Sequence, residues 1–377
     1  MKRIGLFLGA LIVWAGSCEK GDEDMLLPKF NTHNAVPGVV VIEDEFQGQQ
    51  LVLAGDAVNN FIVSFSRKVN GELHNFVASD AGFPIIMEDE KGNQWDIFGE
   101  AVEGPDKGQQ LVATNAIMGY WFSIATFFPG TEIYPDNDPG KHAGETITGT
   151  DGWLVPKNEV VSGGPGIDGI PSVDNPMFTD AAGQESFLKG TDLVVGIKIG
   201  DEIRAYPHDI LDWHEIVNDQ VDDTAFAIIY CPLTGTAAAW DRKIQGVIST
   251  FGVSGLLYNS NIVPYDRKTH TRWSQLLDKG VFGELSGKSQ KHFHLVETTW
   301  STWKQLYPDT WLMSSATGHA RSYGNYPYGD YRNSARLIFD VKYEDDRLHA
   351  KERVHAIFIN GVARVYRFES FAIKPAA

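Results

Sequence analysis

The chain contains an approximate copy of itself, and that copy narrows the folds open to it more than any other feature. Residues 51–76, LVLAGDAVNNFIVSFSRKVNGELHNF, align with residues 226–251, FAIIYCPLTGTAAAWDRKIQGVISTF, at a constant offset of 175. Phe65 falls on Trp240, Arg67 and Lys68 on Arg242 and Lys243, Gly71 on Gly246, and Phe76 on Phe251. The offset then grows by three and by four residues, as loop insertions produce. Trp95 meets Trp273, Gly104 and Gly108 meet Gly283 and Gly287, Trp121 meets Trp300, and FFPGTEIY at 127–134 meets LYPDTWLM at 306–313.

A second pairing links the C-terminus to the middle of the chain. VVGIKIGDEIRAYP at 194–207 aligns with VHAIFINGVARVYR at 354–367, offset by 160. Each reads as two alternating apolar runs around a tight turn, Gly200-Asp201 or Asn360-Gly361, which is a hairpin signature. The second copy carries its hairpin before the cysteine segment, whereas the first has none there and one is left over at the C-terminus. The C-terminal hairpin is therefore expected to return and complete the N-terminal half. That gives a β-rich α+β fold of two pseudo-symmetric halves.

Helices are expected at 116–128 and 298–307, each ending before a proline that cannot continue it. The expected divisions are a signal peptide over 1–17, a tether over 18–40, a first repeat half over 41–134, a crossing segment over 135–176, a second half over 177–313 and a second crossing plus hairpin over 314–377. The crossing at 135–176 is rich in Gly, Pro and Asp but contains Trp153 and Leu154, so it reads as ordered.

At the N-terminus, Lys2 and Arg3 precede an apolar run over 4–15, and small residues lead directly to Cys18. This is the layout of a bacterial lipoprotein signal, with lipidation of Cys18 and attachment to the cell envelope through that lipid alone. The apolar run is too short to span a bilayer comfortably. Polar residues 19–24 follow as a solvated tether. The formal net charge of −17, spread along the 377 residues, speaks against nucleic acid as a partner.

Only two cysteines are present, so a lipidated Cys18 leaves Cys231 without a partner in the chain. The repeat supplies an internal control, because polar residues found in one copy alone are the better candidates for function. Opposite Cys231, Pro232, Thr234 and Gly235 the first copy has Asp56, Ala57, Asn59 and Asn60. His214 and Glu215, in LDWHEIVND, are expected beside the Cys231 turn, where an imidazole would lower the thiol pKa or the three side chains would hold a soft or borderline metal. Thr234, Thr236, Ser254, Tyr258 and Asn259 are binding candidates. Of these, Ser254, Tyr258 and Asn259 read chiefly as turn chemistry.

Other signals are weaker. His208 reads as a surface histidine, the KHFH run at 291–294 as an exposed edge, and YGNYPYGDY at 323–331 as a cleft wall or a cover over the core. The glycines of GGPGIDG lack the context of a phosphate loop, and no G-x-S-x-G elbow is present.

GGPGIDGIP (163–171), RAYPHDILDWHEIVND (204–219), YCPLTGTAAAWDR (230–242), FGVSGLLYNSNIVPYDR (251–267) and TRWSQ (271–275) resemble the bacterial domain-of-unknown-function family numbered 3179. The resemblance runs from about Val155 to Pro308, with a weaker echo in the flanks, and implies an envelope-associated protein without an established activity. The family's turn usually reads CPLCG, whereas this chain has Thr234 at the second cysteine, so a dithiol cycle within the motif is impossible here. The expected function is that of an envelope lipoprotein with a thiol-centred pocket for single-cysteine redox chemistry or capture of a transition metal. The alternative is a non-enzymatic binding or scaffold module with a buried structural cysteine. A cysteine hydrolase is a third reading, for which the sequence offers no oxyanion hole.

Overall fold

The computed structural model describes residues 38–181 and 187–373. Cys18, its signal and most of the tether lie outside the described residues. The architecture follows from hairpins whose turns the sequence dictates. β1 (Val40–Phe46), β2 (Gln49–Asp56) and β3 (Phe61–Ser66) form an antiparallel meander. Its first turn places Gln47 and Gly48 at φ of 51° and 75°, as a two-residue hairpin requires. β4 (Ala116–Tyr120), α1 (Trp121–Phe127) and β5 (Glu132–Ile133) follow.

Another hairpin comes next, made by β6 (Leu193–Ile199) and β7 (Glu202–Pro207), and it leads into α2 (His208–His214). A second meander, β8 (Ile216–Val221), β9 (Thr224–Cys231) and β10 (Thr236–Asp241), carries the cysteine. β11 (Leu295–Thr299), α3 (Trp300–Leu306) and β12 (Trp311–Met313) come after it, and the described chain closes on the hairpin β13 (Arg353–Ile359) and β14 (Val362–Arg367). At its turn Asn360 and Gly361 take φ of 53° and 78°, the geometry that Asn-Gly favours. The fold is thus β-rich α+β, and no helix among the described residues is long and apolar enough to cross a membrane.

Two sheets are built in the same order. β13 and β14 sit between β4 and β5, and β6 and β7 sit between β11 and β12. In each, one strand flanking the hairpin, β4 or β11, is antiparallel to it and the other, β5 or β12, is parallel, the second sheet extending beyond β12 by the short antiparallel strand Phe178–Asp180. Each sheet packs one face on its own meander, Ile357 and Tyr366 against Leu53 and Ile62, and Val195 and Tyr206 against Phe226 and Ile228, and turns its other face elsewhere. Val194, Trp300 and Trp303 share a core with Val52, Phe65 and Trp95, whereas Trp121, Val354 and Val365 share one with Tyr258, Val263 and Leu276. The crossing segment is ordered, with Trp153 stacked on Phe282 and the Leu154 N–H bonded to Val281 O.

The two expected helices are shorter than the sequence suggests. Residues 116–120 and 298–299 are strand, because Ala116–Tyr120 pairs with β13 and Leu295–Thr299 with β6. Those partners are distant in sequence, and their ladder hydrogen bonds override local helix propensity. Helix begins only at Trp121 and Trp300, the second capped by the Thr299 hydroxyl, which accepts from Thr302 N.

Gly196 marks the closest approach of the core. A Cβ there would lie 2.0 Å from the fully buried Trp303 ring. Gly196→Ala should lower stability by about 1–3 kcal/mol, the usual cost of overpacking. Gly166→Ala, where a Cβ meets nothing within 4 Å, should stay within about 0.5 kcal/mol of the parent. Urea unfolding of the two variants checks the pair.

Candidate functional site

β9 ends at Cys231 because Pro232 has no N–H to offer the ladder. The chain then reverses to Gly235, which sits at φ of 62° and donates its N–H to Cys231 O at 2.8 Å. A Cβ on Gly235 would come within 3.0 Å of the Tyr120 ring, so the turn is pressed against the end of β4. Over it lies the tyrosine-rich run of the second crossing. Tyr331 Oη donates to Leu233 O at 2.9 Å and Tyr326 Oη to Pro232 O at 3.3 Å. Lys351 holds that run in place by donating from Nζ to Ser334 O and Arg336 O, with its ammonium 3.6 Å from the Tyr331 ring centre.

The thiol is therefore sealed, with 1% of Cys231 exposed and Sγ directed at Ser260 O, 3.6 Å away. Burial, and secondarily the Glu215 carboxylate, push the thiol up to about 11. Glu215 does reach this environment. It stands just after α2 at φ of 60°, and its backbone joins Leu211 O to Tyr230 N, each at 2.7 Å. Burial raises its carboxyl to about 8, against a lowering hydrogen bond from Tyr328. At neutral pH the pair is an uncharged thiol beside a mostly protonated acid, which is the opposite of an activated nucleophile.

His214 turns elsewhere. Its Nδ1 lies 2.8 Å from Pro171 O and its Nε2 2.7 Å from Tyr323 Oη. Burial lowers it to about 4, so the ring is neutral. A carbonyl can only accept, which places the proton on Nδ1 and makes Tyr323 the donor to Nε2. Both ring nitrogens are thus engaged away from the thiol. Among the described residues no three His, Cys, Asp or Glu side chains are grouped to hold a metal ion, the set Cys231, His214 and Glu215 included.

Most of the binding candidates near the turn are hydrogen-bonded within the chain. Thr234, in the place of the second cysteine, bonds Thr236 at 2.8 Å, Thr236 donates to Gln275 Oε1 at 2.6 Å, and Asn261 Nδ2 reaches Thr234 and Gln275, each at 2.9 Å. Gln275 Nε2 then donates to Ile229 O and Thr236 O, tying the turn to its own strands. Ser254 caps a local turn by donating to Val263 O and accepting from Leu256 N. Tyr258 is buried with its hydroxyl unpartnered, beside Asn259, whose Oδ1 accepts from Lys342 N.

Three features depart from the sequence reading or lie outside it. His208 is buried rather than on the surface, because Pro207 ends β7 and turns the first residue of α2 inward onto the Tyr230 ring. Its Nε2 lies 2.9 Å from Glu297 Oε2 without the alignment of a hydrogen bond. Glu297 is paired to Arg353, and Asp212, one helical turn from His208, is paired to Arg332. The spacing of four between His208 and Asp212 was the available signal, since it places both on one helix face. His294 of the KHFH run is half-buried against the Phe65 and Phe98 rings, while His292 is the exposed member, paired to Asp278.

The third feature is a cleft of about 1020 Å³ between β4 and β10, walled by Ile117, Met118 and Ala237–Ala239. Ser254, Tyr258, Asn259 and Cys231 do not line it.

The depressed His214 titration has a testable sign. Its unfolded imidazole takes a proton below about 6.5, whereas the folded one resists until about 4. The stability it confers is full above pH 6.5 and is lost as pH falls through 4. His294, near 4, and His355, near 3, add in the same direction. Urea midpoints should fall between pH 6.5 and 4, and His214→Gln should shallow that fall without abolishing it.

Comparison with the curated proteins and with the solved structures gives no match. The family model covers far more than the central motifs, extending over both meanders and the C-terminal hairpin, in two stretches of residues 29–131 and 167–376. The chain belongs to the family described as Protein of unknown function (DUF3179).

Proposed function

We propose that this protein is a lipid-anchored binding protein of the bacterial envelope, that its small-molecule site is the cleft between β4 and β10, and that Cys231 is a structural residue. One contrast carries the reading: the thiol is sealed under Tyr326 and Tyr331 and held neutral, while a cleft of about 1020 Å³ stands beside the same hairpin. That volume is at the upper end of what small-molecule sites occupy. Single-cysteine redox chemistry needs a thiolate with access to solvent, and metal capture needs a third ligand beside Cys231. Neither requirement has support in the surroundings of the turn.

We also read the two halves as copies related by a pseudo-twofold axis, the C-terminal hairpin serving the first. The support is positional. β2 and β3 differ from β9 and β10 by 175 at both ends, β6 and β7 from β13 and β14 by 160, and α1 from α3 by 179. Even the isolated bridge Phe65↔Ala113 has its counterpart in Trp240↔His292. A cleft at the junction of two such copies is a common place for a ligand.

With Cys18→Ser removing the other thiol, Ellman's reagent at pH 8 should label less than about a tenth of native chains, and one thiol per chain after unfolding. A native thiol that reacts at once, or titrates below the free value of about 8.5, sinks the structural reading of Cys231. The uncharged dye N-phenyl-1-naphthylamine should bind saturably, one per chain, equally in Cys231→Ala and weakly in Leu277→Trp, which fills the cleft. For the anchor, Cys18→Ala should move the protein from the membrane pellet to the soluble fraction of cells.

A further inference from the structure

One end of the cleft carries a polar trio that neither the thiol nor the scaffold around it uses. Ser64 Oγ on β3 lies 2.7 Å from His355 Nε2 on β13 and 2.5 Å from Thr114 Oγ1, and all three residues line the cleft. Ser64 and His355 are buried on strands fixed by ladder pairing to Leu53, Met118 and Tyr366. Thr114, half-buried, is the end of the chain of hydrogen bonds that opens to the cleft.

The corresponding positions of the second half are apolar. Ser64, Thr114 and His355 fall on Ala239, Phe293 and Val195 at the offsets of 175, 179 and 160. Val195 and Ala239 belong to a plain hydrophobic core with Phe293 packed on it, and Phe293 pairs with Ala239. The fold at this place thus stands without polar groups, and burying two hydroxyls and an imidazole brings a desolvation cost that an apolar set avoids.

We propose that Ser64, Thr114 and His355 form the recognition end of the cleft, and that its ligand is an uncharged amphipathic molecule with an apolar body and one hydroxyl, carbonyl or amide head. The proposal rests on the reading of the cleft as the ligand site. The chain of hydrogen bonds runs in either direction. If Ser64 donates to His355 Nε2, Thr114 donates to Ser64 and offers lone pairs to the ligand. If His355 Nε2 donates, Ser64 donates to Thr114, whose proton is shared with Ser64 O only at a long 3.4 Å and is drawn off by a ligand oxygen. Such a terminus serves a head group that both gives and takes hydrogen bonds.

Charge is excluded by the same surroundings. No arginine is among the described lining residues, and Lys279 and Glu145, of opposite sign, are both exposed at the rim, the latter accepting from Tyr343 Oη at 3.4 Å. Glu297 is closed by Arg353 at 2.5 Å and Asp278 by His292 at 2.6 Å. Burial keeps His294 and His355 uncharged down to about pH 4 and 3, and the desolvation responsible acts equally on a charged head. An imidazole that resists protonation to this degree is a weak base, so Ser64 is a hydrogen-bonding group rather than a nucleophile.

The test displaces N-phenyl-1-naphthylamine from the Cys18→Ser chain at pH 7.5 with 1-decanol, decanoate or decylammonium. Decanol should act at concentrations at least tenfold below either ion. Thr114→Val should weaken decanol about fivefold, as the loss of one hydrogen bond does, weaken the dye by less than it weakens decanol, and narrow the gap to the ions. Ser64→Ala should do the same, and the half-exposed, isosteric Thr114→Val carries the test if Ser64→Ala fails to fold. Equal or stronger displacement by an ion, or an unchanged order in Thr114→Val, overturns the head-group assignment alone. Failure of the dye to bind the parent chain overturns it together with the cleft reading.

Discussion

The approach of β4 to β10 sets the geometry of everything between the two halves. A Cβ on Gly119 would sit 2.7 Å from Thr236 Cγ2, and the next residue, Tyr120, donates its N–H to Thr234 O at 2.8 Å. Backbone can come this near only where side chains are small, which accounts for the run Thr236, Ala237, Ala238 and Ala239. The same run leaves space further along the strand, where Ala237–Ala239 wall the cleft. One constraint therefore gives both the contact and the opening: small residues let the strands touch at one end and fail to fill the gap at the other.

The cysteine turn occupies the touching end. Its neighbours come from the end of β4, from the end of α2, from the Ser260 segment and from the tyrosine run, so the turn and its thiol are covered by four segments far apart in sequence. This explains its protonated state better than any property of CPLTG itself. Burial raises a thiol pKa, and the Glu215 carboxyl acts on it in the same direction. Thr234 is bonded into the Thr236, Gln275 and Asn261 network, where it ties the turn to its own strands.

Alternation and turn chemistry made the hairpins legible, down to Asn360-Gly361, because hairpin register is a local property. The first turns of the expected helices were misread at 116–120, where pairing to residues 353–357 decides the conformation and no local signal records it. His214 and Glu215 were expected together beside the Cys231 turn; Glu215 O bonds Tyr230 N on the cysteine strand, whereas the His214 ring bonds Pro171 O and Tyr323. Adjacent residues part company there because Glu215 takes φ of 60°, a conformation uncommon for glutamate and invisible in the sequence. The trio Ser64, Thr114 and His355 escaped notice because its members lie up to 291 positions apart. Comparison of each with its apolar counterpart would have flagged it.

The placement of the last hairpin bears on how the molecule is made. β13 and β14 are the middle strands of the sheet that β4 and β5 flank. Until residues 353–367 have been synthesised, β4 and β5 lack these ladder partners, and their edges stay unpaired for more than half of the chain's synthesis. Domain-by-domain folding from the N-terminus, the usual order for long chains, is closed to this one. Completion waits on contacts of very large sequence separation, which are slow to form, so the chain's last few dozen residues act as the closing step for its first.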